Sequence, residues 1–239
     1  SAKVIENAQQ AEHYFSQDNY YTTEEGFEQS AWAGKGAAAL GLSGGVHREQ
    51  FMELLEGKVD GQELGKWVRN EETGQKEREH RPGIDLTFSA PKSVSLLAEV
   101  AGIEEVSKAH DEAVKEALAY LEKATAQARV TADGITAREN TGNLVIATFR
   151  HDTSRELDPQ THTHAVVMNA TQCEDGKWRS VANEEMLRHI KVTGAVYRAG
   201  LAAKLSAIGY EIERTHADGR FEVKGFTKEQ LEHFSQRSG

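Results

Sequence analysis

Residues 83–89, GIDLTFS, alternate strictly: Ile84, Leu86 and Phe88 fall on one face, Asp85, Thr87 and Ser89 on the other. That period of two predicts a half-buried strand. GNLVIATFRH at 142–151 and THTHAVVMNAT at 161–171 read as two more strands, and the connection DTSRELDPQ makes them an antiparallel hairpin. Between these strands the period changes. Ile103, Val106, Ala113, Ala117, Leu118, Leu121 and Ala124 keep a helical spacing, predicting a long helix over about 103–127. Pro91 is tolerated in the first turn of a helix running to about Ala101.

A second long helix is expected from Asn183 to Ile208, stopped by Gly209, although Gly194 and Gly200 weaken its middle. YEIER and RFEVK flank Ala217-Asp218-Gly219 and predict a hairpin. A short strand pair is expected over 129–138 around Asp133-Gly134. Thr227 and Gln230 have capping-box spacing and start a last helix. Toward the N-terminus the pattern predicts helices over 7–16, with Asn7 as N-cap, and over 47–56, ended by Gly57. The Gly/Ala-rich stretch 32–46 reads as a short helix between turns, and 58–82 shows no period and reads as loops. Hairpins mixed irregularly with helices give an α+β class, a mainly antiparallel sheet covered by helices.

Composition narrows the class. The 239 residues are 38% hydrophobic and 28% charged, a globular balance with no apolar run of membrane-spanning length and no secretory signal pattern. The single cysteine, Cys173, excludes a disulfide framework and a cysteine-rich zinc module, and fits a cytoplasmic setting. A net charge of −10 argues against nucleic acid as a partner. The acidity is uneven, however. Residues 1–80 hold 8 basic and 15 acidic side chains, whereas 151–239 hold 12 and 13. A basic groove built by later segments is compatible with that distribution.

The candidate chemistry centres on histidine. His162 and His164 lie two apart on one strand, so both imidazoles share a face roughly 6–7 Å apart at the backbone. His151 ends the preceding strand across the hairpin and can join them. Three neutral imidazoles bind a divalent transition metal and leave positions open for substrate. The plain alternative is a chance histidine pair on a solvated strand. Asp85, on the polar face of its strand, is either an acceptor that orients an imidazole or an ordinary exposed carboxylate. Tyr14, Tyr20 and Tyr21 crowd together near the N-terminus. They are either aromatic packing or phenolic nucleophiles that a metal or base would have to activate.

Taken together, HYFSQDNYY at 13–21, WAGKGAAALGLSG at 32–44, RPGIDLTFSAPKSVSL at 81–96, TGNLVIATFRHDTSRELDPQTHTHAVVMNAT at 141–171 and AIGYE at 207–211 resemble the MobF group of conjugative relaxases. These belong to the HUH endonuclease superfamily. The resemblance implies a palm-like fold, with helices flanking a five-stranded antiparallel sheet, and a single relaxase domain over 1–239. The domain is then trimmed at its N-terminus, truncated at its C-terminus, and without the helicase that follows in relatives. It also implies a site- and strand-specific DNA nicking and joining enzyme. A tyrosine attacks the origin of transfer of a plasmid and stays joined to the 5′ phosphate until religation. His151, His162 and His164 match the metal ligands and Asp85 matches the strand aspartate. Tyr14 matches the nucleophile, with Phe15 where relatives often carry a second tyrosine, and Tyr20 and Tyr21 match a second pair.

The metal implied is Mg²⁺ or Mn²⁺, whereas nitrogen ligands alone favour Zn²⁺, Ni²⁺ or Cu²⁺. The implied partners are single-stranded DNA at the origin, relaxosome accessory proteins and a type IV secretion coupling protein. A monomer is expected in the bacterial cytoplasm, without membrane insertion, and carried with the DNA into the recipient cell. Lys92, Arg150, Arg155, Lys177, Arg179 and Arg198 are the cations nearest the motifs and the candidates for DNA contact, each with the alternative of a solvated surface charge. Competing readings are a three-histidine metallohydrolase that activates water, a rolling-circle replication initiator and a non-catalytic DNA-binding module.

Overall fold

The computed structural model describes residues 1–8, 29–154 and 157–235. Its centre is a five-stranded, wholly antiparallel sheet. The strands are β1 (Ala2–Ile5), β2 (Ser30–Ala33), β3 (Gly83–Ser89), β4 (Ile146–Thr153) and β5 (Pro159–Met168). Their spatial order is β1-β3-β5-β4-β2. Thus β5, the strand carrying Thr-His-Thr-His, lies in the middle, and Pro159 stands at its first residue, where a missing N–H costs least. The helices are α1 (Lys35–Ala39), α2 (Arg48–Leu55), α3 (Lys92–Ser95), α4 (Glu104–Thr125), α5 (Asn183–Ala207) and α6 (Lys228–His233). A single π turn, Leu96–Val100, continues α3.

Both faces of the sheet are covered. On one, Ile84, Leu86 and Phe88 of β3 pack against Val106, Ala113 and Leu121 of α4 and against Leu201 and Leu205 of α5. On the other, Val145, Ala147, Phe149, Val166 and Met168 meet Trp32, Phe51, Leu54, Leu55 and Trp178. Phe51 of α2 stands edge-on to Phe149, centroids 5.4 Å apart. The sequence pattern promised a half-buried strand at 83–89, but the first six of its seven residues are shielded wholly or in large part. Alternation there separates two cores of different polarity, not core from solvent.

Several N-terminal elements differ from the pattern. Residues 30–33 form edge strand β2, and only 35–39 of the Gly/Ala-rich stretch are helical. Residues 2–5 pair with β3, from Ala2↔Leu86 to Ile5↔Gly83. The stretch 58–82 contains two small hairpins, Lys58–Val59 with Gln62–Glu63 and Lys66–Arg69 with Lys76–Glu79. These strands are too short and too polar to leave a countable period. The helix expected over 7–16 lies almost entirely outside the described residues.

Other expectations hold. The hairpin Gln127–Ala132 with Ile135–Asn140 turns at Asp133 and Gly134, both at positive φ. Ile212–Arg214 pairs with Phe221–Val223. Thr227 and Gln230 form a reciprocal capping box on α6. The glycines within α5 have a packing use at Gly200. A Cβ there would sit 3.8 Å from that of Ala113, so the missing side chain lets α5 lie close on α4.

The turn from β2 into α1 is fixed by Gly34 and Glu122. Gly34 has φ 93°, and a Cβ at this position would fall 2.2 Å from the Leu144 carbonyl oxygen. The buried Glu122 carboxylate accepts the backbone N–H of Lys35 at 2.7 Å and of Leu144 at 2.8 Å. One side chain from α4 thereby ties β2, α1 and the approach to β4 together.

Candidate active site

Antiparallel pairing sets His151 of β4 directly opposite His162 of β5, and Phe149 opposite His164. Opposed residues share a face, so the three histidines project together. Their ring centroids form a near-equilateral triangle, 5.2 Å (His151–His162), 5.3 Å (His162–His164) and 5.6 Å (His151–His164). A metal held at about 2.1 Å by imidazole nitrogen lies roughly 3.2 Å from the ring centroid, and tetrahedral angles then put centroids about 5.2 Å apart. As the side chains stand, no group of three or more His, Cys, Asp and Glu among the described residues forms a closed ligand set. The centroid separations alone match those of three imidazoles around one ion.

Hydrogen bonding determines which nitrogens face the centre. Nδ1 of His164 lies 3.0 and 3.1 Å from the two Asp85 carboxylate oxygens. A carboxylate only accepts, so Nδ1 carries the proton and Nε2 keeps its lone pair. Nδ1 of His162 likewise donates to the Gln160 carbonyl at 3.0 Å. Both rings are thus held in the tautomer whose Nε2 can ligate a cation. Burial pushes His151 down to about 3, with the neighbouring His162 and His164 adding to the effect, and burial also lowers His162. Neutral imidazole is the form a metal requires.

Asp85 does share the histidine face, on β3 beside β5, but that face is not the open one its alternation with Ile84 and Leu86 suggested. Asp85 is 3% exposed, and Val166 and Met168 continue its face into an apolar cluster. A β-bulge between His151 and Thr153 ends the regular pairing immediately beyond the first histidine.

A TrwC relaxase family model matches residues 8–239. The chain belongs to the TrwC relaxase family. It is 41% identical over 249 residues to a multifunctional conjugation protein TraI from Escherichia coli, and 40% identical over 247 residues to TraI from Escherichia coli strain K12. These alignments cover 100% and 99% of this chain, and the chain spans 13% of the length of those relatives. Among solved structures, it resembles TrwC complexed with a 27-mer DNA comprising the recognition hairpin and cleavage site, at TM-score 0.85 and 45% identity, covering 100% of this chain and 79% of that one. A metal-bound TrwC complex with oriT DNA matches at TM-score 0.87 and 44% identity, covering 100% and 80%. A copper-bound TrwC complex matches at 0.85 and 45%, with the same coverage.

In this TrwC relaxase domain the tyrosines singled out by sequence, Tyr14, Tyr20 and Tyr21, lie outside the described residues, as does Arg155. Of the remaining candidate cations, Lys92, Arg150, Arg179 and Arg198 are engaged through their side chains within the fold. Lys92 donates from Nζ to the Pro159 carbonyl at 3.0 Å, and burial lowers its pKa. Arg150 stands opposite Thr163, on the sheet face away from the histidines, and pairs with Asp111 at 2.8 Å. Arg179 makes a bidentate pair with Asp175, at 2.9 and 2.7 Å, while Lys177 occupies the same turn. Arg198 donates to the Asp218 carbonyl and, with Arg220, lines a cleft of about 290 Å³ beside β3. No helix among the described residues is long and apolar enough to cross a membrane.

One polar group near the site gave no sequence signal. His110 sits among the apolar positions of α4, fully buried, and reaches both Tyr197 and Thr163. A histidine amid alanines and leucines on a helix face reads as core filling until the third dimension supplies its partners.

Proposed function

We propose that this domain is the site- and strand-specific DNA strand transferase of conjugative plasmid transfer. It nicks single-stranded DNA at an origin of transfer by tyrosine transesterification. The observation that carries the reading is the triangle of His151, His162 and His164, with Asp85 on His164, in a chain whose structural relatives include TrwC bound to DNA with its cleavage site.

His151, His162 and His164 would hold one divalent ion through ring nitrogen. When bound, that ion supplies positive charge to the non-bridging oxygens of the scissile phosphate. Asp85 keeps His164 in the ligating tautomer and stands ready to take a proton. Tyr14 is the nucleophile: its phenolic oxygen bonds to phosphorus, the P–O3′ bond breaks, and the departing 3′-oxygen takes up a proton. The product is a 5′-phosphotyrosine and a free 3′-hydroxyl. No water is consumed, so attack by a 3′-hydroxyl reverses the step and religates the strand. Tyr20 and Tyr21 are the candidates for a second such transfer.

Mg²⁺ or Mn²⁺ is the ion expected in cells by resemblance. The all-nitrogen donor set favours Zn²⁺, Ni²⁺ or Cu²⁺ in vitro, which the copper-bound TrwC structure supports. Lys92, Arg150, Arg179 and Arg198 are proposed DNA contacts where phosphate can compete with their present partners, and Lys177 and Arg155 are proposed with them. Relaxosome accessory proteins and a secretion coupling protein are the further partners proposed, with cytoplasmic action by a monomer before passage with the DNA into the recipient. The water-activating hydrolase and the replication initiator are not favoured, because a TrwC relaxase match extends over 8–239.

The test is to incubate the chain with Mn²⁺ and a single-stranded oligonucleotide bearing an origin of transfer, then run a denaturing gel. A protein–DNA adduct that the Tyr14→Phe variant fails to form supports the reading. Cleavage with no adduct supports the hydrolase instead.

A further inference from the structure

The Thr-His-Thr-His segment of β5 presents its histidines to one face of the sheet and its threonines to the other. Thr161 and Thr163 are both buried, and both are held from behind. Thr161 accepts the Ala90 N–H at its carbonyl at 2.9 Å and donates its own N–H to the Ser95 hydroxyl at 3.0 Å, and its hydroxyl donates to the Glu99 carboxylate at 2.5 Å. Ser95 closes α3 and Glu99 lies in the π turn that follows. Thr163 Oγ1 lies 2.8 Å from Nε2 of His110 on α4, and Nδ1 of His110 lies 2.8 Å from the Tyr197 hydroxyl on α5.

We propose that the His110–Tyr197 pair is a positioning device that holds β5 against the helices through Thr163, and so fixes where His162 and His164 stand on the opposite face. It rests on the reading that these histidines bind a metal. Thr163 is the residue between the two histidines, so the point of attachment is as close to both as a single side chain allows. A neutral imidazole has one N–H and one lone pair, so His110 must donate at one end and accept at the other. A hydroxyl at each end satisfies either direction, so the bridge leaves neither ring nitrogen of His110 unpaired. Burial keeps His110 in this neutral form, lowering its pKa to about 3, and raises that of Tyr197 so that the phenol keeps its proton. The Tyr197 ring is further fixed edge-on against Phe88 of β3, centroids 5.4 Å apart. The bridge therefore ties α4, α5, β3 and β5 together at one point behind the histidine triangle.

The ladders to β3 and β4 fix the register of β5 within the sheet, and a purely apolar contact would hold the helices on the sheet without any preferred direction. The bridge adds directional hydrogen bonds from the helices behind β5, which a small shift or twist of the strand at Thr163 weakens. The two histidines that flank Thr163 are bound to follow any such shift.

The experiment compares Thr163→Val, which keeps shape and loses the hydroxyl, with Thr163→Ser, which keeps the hydroxyl, and with Tyr197→Phe at the far end of the bridge. Two readouts are taken: Mn²⁺ affinity by calorimetry, and the imidazole N–H correlations of His162 and His164 by NMR in metal-free protein. We expect Thr163→Val and Tyr197→Phe to weaken Mn²⁺ binding by about 10–100-fold and to broaden the His162 and His164 signals, and Thr163→Ser to restore both. Wild-type affinity and unchanged histidine signals in folded Thr163→Val and Tyr197→Phe would overturn the inference. Wild-type protein that binds no Mn²⁺ would instead overturn the metal reading, and the metal-free NMR comparison would then still decide whether the bridge positions the histidines.

Discussion

The Asp85 carboxylate lies 3.0 Å from Nδ1 of His164, across from β3 to its neighbour β5, and both side chains are shielded from solvent. The contact fixes a tautomer, and losing it should show in chemistry before stability. Asp85→Asn keeps the shape while removing the charge that holds the Nδ1 proton. The variant is expected to fold and to bind oligonucleotide normally, with nicking slowed about 10–100-fold if Asp85 only orients the ring. A role as proton acceptor from the tyrosine raises the loss to about 10²–10⁴-fold. The pH–rate profile separates them: a lost acceptor is compensated as pH approaches the tyrosine range, whereas a lost orienting group responds to added metal. Full-speed nicking at neutral pH and limiting metal excludes both roles.

Glu122 gives a prediction on stability. Its buried carboxylate is the acceptor for the N–H groups of Lys35 and Leu144. Glu122→Leu leaves those two donors without that partner, at about 1–3 kcal/mol each. Urea denaturation is expected to show a loss on that scale. A variant as stable as the parent would mean that the β2–α1 connection finds other acceptors.

Acid sensitivity follows from His110. Its pKa is about 3 in the folded chain against an ordinary 6.5, because burial penalises the charged ring. The unfolded chain therefore takes up a proton at pH 6.5 that the folded chain refuses until about 3. Stability from this group is fully present above 6.5 and falls as pH drops through that window, by up to about 1.4 kcal/mol per pH unit. His80, lowered to about 4 by burial, acts with the same sign. Urea midpoints measured between pH 6.5 and 5 should decline less steeply in His110→Gln than in the parent. Equal slopes would show that His110 does not couple folding to protonation.

Much of the site was legible in the chain. Thr-His-Thr-His on a strand, with His151 across a short connection, contains the triangle in its spacing, because strand alternation and hairpin pairing are local rules. Asp85 was placed on the correct face by the same alternation. Its burial was not legible, because the alternating residues of a central strand can divide two covered faces as well as core from water. The edge strands at 2–5 and 30–33 were missed for a related reason. Four residues such as Ser-Ala-Trp-Ala carry too little pattern, and their partners lie more than fifty residues away in sequence. Thr161, Thr163 and His110 carried no signal in the pattern. Their contacts span three helices and the sheet, and no period in the sequence records them.

The most direct measurement is metal stoichiometry by native mass spectrometry, comparing the parent chain with the double variant His162→Ala/His164→Ala after loading with Mn²⁺ or Zn²⁺. One ion per parent chain and none on the folded double variant is the predicted result. One ion still bound by the double variant would place the metal away from the triangle and contradict the site.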